Sequence, residues 1–304
     1  MSTVRDLSNR LLRTMLTPPD NQNIQVRLAV PIELHDLQVT LGDFTVSEDE
    51  ALIRQGSLLE ANEELMRVIE YDPTTRQVTV SRAQYSTPVA VHSLPLLLNM
   101  NPTYPMESIF EAIRDNIVQL YPRLSTIRTI TPTREPNHLS FNGSYIWSIG
   151  DPRAVAVVET FERGSKTAID IDARIVNIDG INVLVTNERV SDIDVRYRRN
   201  MGVATSMNDS LDDLGLEVVW GSVVMVGAAA DLVAGRDIPA EDTKWIGKAL
   251  EGENIRVGTR TSLAVGLARY RELLIDRFSR EQKGQETSKV KVHIADPFAQ
   301  VPGL

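Results

Sequence analysis

The chain has no cysteine. That excludes disulfides, thiolate metal sites, iron–sulfur clusters and cysteine nucleophiles, and it makes stability independent of the redox state of the compartment. Aromatic residues are scarce, at 5% of 304. The core must therefore be mainly aliphatic, and a platform for stacking bases or sugars is a poor expectation. Long hydrophobic runs are missing too. Nowhere do about 18 uncharged apolar residues follow one another. Met1 to Leu16 is interrupted by Arg5, Asp6, Arg10 and Arg13, unlike the apolar stretch of a signal peptide. A soluble, cytosolic product with no membrane partner is expected. Basic residues are outnumbered, giving a formal net charge of −9. A general nucleic-acid binder would neutralise phosphates with Lys and Arg. An acidic wall past which DNA slides without sticking remains compatible.

The motifs of chemistry are equally thin. Gly247-Lys248 lacks the upstream glycine and the strand–loop context of a P-loop. Ser144 in Asn142-Gly143-Ser144-Tyr145 lacks the second glycine of a nucleophile elbow. His35, His92, His138 and His293 stand far apart, without the close spacing of a metal cluster. Two carboxylate pairs, Asp170/Asp172 and Asp192/Asp194, have strand spacing that points both members to one face, as a glycosidase or metal phosphoesterase could use. Alternation with Ile169, Ile171 and Ile193 explains the same residues as a solvated strand face. Arg196, Arg198 and Arg199 form a basic cluster, readable either as a contact for an acidic neighbour or a DNA phosphate, or as an exposed border with local ion pairs. Trp147, Trp220 and Trp245 are scattered, against a carbohydrate-binding module. No catalytic, cofactor-binding or metal-ligating residue is expected.

What is present is patterning. Val4, Leu7, Leu11, Leu12 and Met15 have helical spacing before Thr17-Pro18-Pro19-Asp20. Strand-like alternation then runs from about Asn23 to Asn99, with a turn at Tyr71 to Arg76 and a fully apolar run, Leu94 to Leu98, expected to be buried on both faces. Pro105 opens a helix with the stripe Ile109, Ile113, Ile117 and Leu120. A second β region spans Ile127 to Tyr197, with Asp179-Gly180 as a hairpin turn. The last third is helical. Leu216 to Ala234 precedes a short helix, Glu241 to Leu250. The long helix Thr261 to Arg280 places Leu263, Leu267, Tyr270, Leu274 and Phe278 on one face, and Arg269, Arg271, Glu272, Asp276, Arg277 and Arg280 on the other. Residues 281–289 have linker composition, and Val290 to Ile294 alternates again. The expected divisions are 1–22, 23–100, 101–124, 125–200, 201–285 and an extended tail, 286–304. The expected class is α+β: a helical, adaptor-like bundle with two β-rich insertions.

The stretch Leu58 to Leu124 carries a resemblance. It contains Glu64-Leu65-Met66-Arg67-Val68, then Val78 to Arg82, His92, Asn101-Pro102-Thr103-Tyr104-Pro105 and Leu120-Tyr121-Pro122-Arg123-Leu124. This resembles structural proteins of the head–tail joining region of tailed bacteriophages, in which a hairpin strand of this kind precedes an Arg-Gly turn and a histidine. Here Ala83 stands where the pattern has glycine, and Ser86-Thr87-Pro88 replaces a Gly-Thr-Thr run. The C-terminal third is similar in plan to head-to-tail adaptors. The resemblance implies a non-enzymatic virion protein of the neck, assembled in the host bacterial cytoplasm. It would form a homo-oligomeric ring of twelve between the portal protein and a tail terminator or stopper, letting double-stranded DNA pass during genome ejection. Val290, Lys291, Val292, His293, Ile294 and Phe298 would reach the portal or a neighbour by strand addition. Arg196, Arg198 and Arg199 would be the polar or DNA-facing contact. Another neck component, such as a stopper, and a virion-associated glycosidase are the alternatives.

Overall fold

The computed structural model describes residues 2–16, 24–44, 50, 52–139, 145–163, 168, 169, 171–178, 180–187, 192–234 and 260–287. Period-two alternation builds a closed barrel and two further sheets. Six strands, β1 (Ile24–Leu28), β2 (Gln38–Phe44), β3 (Leu58–Ala61), β4 (Glu64–Asp72), β5 (Gln77–Ser81) and β6 (Leu97–Met100), close into an antiparallel barrel in the order β1-β2-β5-β4-β3-β6. β6 completes the ring by pairing with both β1 and β3. Alternate residues, among them Val26, Val39, Leu41, Leu59, Met66, Val78, Val80 and Leu98, point inward and fill it. So few strands leave only enough room for such side chains. The β4–β5 turn sits at the Asp-Pro step. There the Asp72 carboxylate accepts from the Thr74 amide (2.9 Å) and the Thr75 hydroxyl (2.7 Å).

A second β unit follows. β7 (Thr126–Ile130), β10 (Ala154–Glu162), β11 (Ala168–Ile169) and β14 (Ile193–Arg199) form one four-stranded sheet. β8 (Thr133–Leu139), β9 (Tyr145–Ser148), β12 (Ala173–Ile178) and β13 (Ile181–Thr186) form another. The two sheets share a core of Trp147, Leu184, Ile193, Val195 and Tyr197. Gly180, at φ +84°, makes the β12–β13 turn, where a side chain would be strained.

The helices make the third core. α1 (Val4–Leu11) opens with a capping box in which Thr3 and Asp6 satisfy each other's amides, and a π-helical turn, Leu12–Leu16, continues it. α2 (Met106–Val118), α3 (Leu211–Leu214), α4 (Gly221–Ala234) and α5 (Arg260–Thr287) complete the set. α4 is apolar on nearly every side, so it is buried in the middle, against α2 and α5. Ile109, Ile113, Ile117 and Leu120 of the α2 region are fully enclosed there.

Three expectations need correction. The protein is not a helical bundle with β-rich insertions: strands account for 36% of the described residues, with a closed six-stranded barrel and several sheets. The physical reason is that each alternating region closes on a core of its own. The run Leu94 to Leu98 is not buried on both faces either. Leu98, on β6, faces the barrel interior and Leu97 its solvent side, while Leu94 lies before the strand and is exposed. Finally, residues 281–287 are not linker. They extend α5, supported by an Arg277–Glu281 pair one turn apart (3.1 Å) and by the Gln282 amide donating to the Ser125 carbonyl (2.5 Å).

Candidate functional site

Antiparallel pairing of β4 with β5 sets Glu64, which opens β4, beside Arg82, which follows β5. The Glu64 carboxylate is fully enclosed. It accepts from Arg82 Nε (2.8 Å) and Nη2 (2.7 Å), from the Ala90 amide (3.1 Å), and lies 2.8 Å from His92 Nε2. Burial alone would raise its pKa. The bonds from Arg82, His92 and Ala90 outweigh that and hold it below the ordinary value. Arg82 also donates to the carbonyls of Glu33 and Ala90. Ile32 and His92 exchange backbone hydrogen bonds at 3.0 and 2.9 Å. One buried ion cluster thus staples two segments, 30–37 and 83–97, to the barrel and to each other.

Those segments carry an unusual surface. Val30, Leu34, Leu37, Tyr85, Val89, Val91, Leu94 and Leu97 are all exposed on them, Tyr85 to 77%. Single exposed apolar residues need no explanation, but a concentration of them marks an interaction surface. The surface is shaped by strained backbone: Ala83 and Tyr85 both sit at φ +54°, and Ser86 at +67°. Thr87 secures the turn, accepting from the Leu65 amide (3.1 Å) and donating to the Gln84 carbonyl (2.9 Å).

A second buried carboxylate ties the barrel to the helices. Glu60, on β3, accepts from the Met106 amide at the start of α2 (2.6 Å) and from Asn99 (3.0 Å). Here burial prevails and its pKa is raised. Arg5 of α1 pairs with Glu63 in the β3–β4 turn.

The basic cluster read from the sequence is divided by strand alternation. Arg199 points inward beside Tyr197, at 3.8 Å from Asp151. The Tyr197 hydroxyl donates to Asp151 (2.8 Å), and burial, that bond and the Asp151 charge push its pKa up to about 12. Arg196 and Arg198 face the other way. Arg196 pairs with Glu159 at 3.7 Å, and Arg198 lines a cleft of about 390 Å³ with Arg123, Asp276 and Lys283. The three arginines therefore make no common surface. Of the carboxylate pairs, Asp170 lies outside the described residues, and Asp172 accepts from Asn187 (2.6 Å). Asp192 pairs with Arg163 (3.6 Å), and Asp194 accepts from Thr131 (2.5 Å). Val290, Lys291, Val292, His293, Ile294 and Phe298, like Trp245 and the helix expected over 241–250, lie outside the described residues.

The sequence pattern puts Arg271 on the solvated face of the long helix. It instead turns inward, against Gly227 of α4. Beside it the Asn116 amide donates to Asp231 (2.6 Å). Among the described residues no group of three or more His, Asp or Glu could hold a metal ion, and no helix is long and apolar enough to cross a membrane. Searches of family models and of curated proteins find no match to this chain.

Proposed function

We propose that the chain is a non-enzymatic structural protein of a tailed-bacteriophage virion, a ring-forming component of the head-to-tail connector. The observation that carries this reading is the stapled apolar surface on 30–37 and 83–97. A surface held rigid by a buried ion cluster loses little entropy when a partner covers it, so its apolar area is available for association. The same residues that carry the resemblance, Glu64, Arg82 and His92, are the ones that converge to hold it. The partners are further copies of the chain, the portal protein, and a tail terminator or stopper. Double-stranded DNA would pass an overall acidic assembly of charge −9 per copy, repelled over about one Debye length, ~8–10 Å. Residues 290–294 and Phe298 would supply the portal-side contact.

Native mass measurement of the purified protein, alone and mixed with the portal of a tailed phage, tests the reading. A ring is expected, with twelve copies. A protein that stays monomeric under both conditions overturns it. Deleting residues 288–304 should abolish portal attachment while leaving the fold intact, and normal attachment by the truncated protein would remove the role given to the tail.

A further inference from the structure

Resting on the ring reading, we propose that the stapled barrel surface receives the outer face of α5 from a neighbouring copy. α5 has two sides. Leu267 and Ile275 are buried against the helical core, whereas Val265 and Leu273 stand 61% and 51% exposed. Val265, Arg269 and Leu273 are four residues apart, so they form one ridge with a basic side chain between two apolar ones, which Arg277 continues while paired with Glu281. The barrel surface has the opposite bias. Its apolar residues are interspersed with Glu33 and Asp36, and residues 83–97 contain no Lys, Arg, Asp or Glu. Apolar-and-basic thus meets apolar-and-acidic, which favours this pairing over like surfaces.

Because both surfaces belong to one chain but differ, their contact is heterologous. Each copy offers a barrel surface to one neighbour and a helix ridge to the other, and such contacts close into a ring when the rotation between copies permits. Both partners are held in place beforehand. Arg82 and Glu64 brace the barrel side, and α5 is anchored by Arg123 reaching Glu272 and Asp276 and by Gln282 on the Ser125 carbonyl.

The test is charge exchange in the full-length protein, read by native mass at low salt with circular dichroism as the folding control. Glu33→Arg and Arg269→Glu should each weaken self-association by about tenfold or more. Combining them in one chain should restore it. Leu273→Ser, at an exposed position, should weaken it independently of charge. Three results overturn the proposal: single reversals that assemble as wild type, a double variant no better than either single, or reversals that spare self-association but lose portal binding. In each of these the wild type still forms rings, so the ring reading survives. A wild type that forms no oligomer, alone or with portal, removes both.

Discussion

The guanidinium of Arg82 meets the Glu64 carboxylate in a two-pronged pair, at 2.8 and 2.7 Å, with the two side chains 5% and 0% exposed. Such a pair is weak support for stability in itself, since taking both charges from water offsets much of their attraction. Its consequence here is positional: the arginine's remaining donors reach two loop carbonyls and fix where the apolar segments lie.

Breaking the pair should be far more harmful than its net strength suggests. Glu64→Ala leaves Arg82 buried without its counter-charge, at an expected cost of about 3–5 kcal/mol. Urea unfolding measures this. Hydrogen exchange should quicken first at the Ala90 amide, and unchanged exchange there would show that the carboxylate does not hold the segment.

The two buried carboxylates should give opposite pH signatures. Glu64 has a depressed pKa, so its contribution is present above 4.5, its ordinary value, and is lost as pH falls through the folded pKa. Glu60 has a raised pKa. Its contribution is complete below 4.5 and is lost as pH rises through the folded value. Urea midpoints of wild type and Glu60→Gln across the range from pH 4.5 upward should therefore converge or cross as pH increases, the wild type falling relative to the variant. Parallel curves would contradict the burial of Glu60.

Ala83 occupies a left-handed backbone position, φ +54°, that costs an L-residue about 1–2 kcal/mol and glycine almost nothing. Ala83→Gly should raise stability by about 1 kcal/mol, less the extra entropy glycine has when unfolded. Thermal unfolding reads the shift, and a lower midpoint would mean that position 83 is not left-handed.

Of the described glycines, Gly227 is the one whose neighbours come closest. A methyl group there would overlap Asn116 Oδ1 and come within 2.7 Å of Arg271 Nε. Gly227→Ala should destabilise by about 1–3 kcal/mol, despite the better helix propensity of alanine. A gain in stability would mean that α2, α4 and α5 are not packed this closely.

Most elements could be read from periodicity. The barrel strands, the stripe of α2 and the hairpin turn at Gly180 follow from residue spacing and turn chemistry. The site was less legible. Glu64, Arg82 and His92 were visible as parts of a pattern, but nothing in their spacing says that residues 18 and 28 positions from Glu64 share one carboxylate. Polarity alone puts Arg271 in water, whereas the missing side chain at Gly227 leaves room for it inward.

Local periodicity, then, determined where strands and helices form, and alternation that each β region has an apolar face to hide. Tertiary structure decided that these faces close into separate cores, making the β units the body of the protein. It also decided which apolar residues remain outside. Leu97 and Leu98 are the same residue type side by side, and only the direction in which the closed barrel curves puts Leu98 in its filled interior and Leu97 on its exposed exterior.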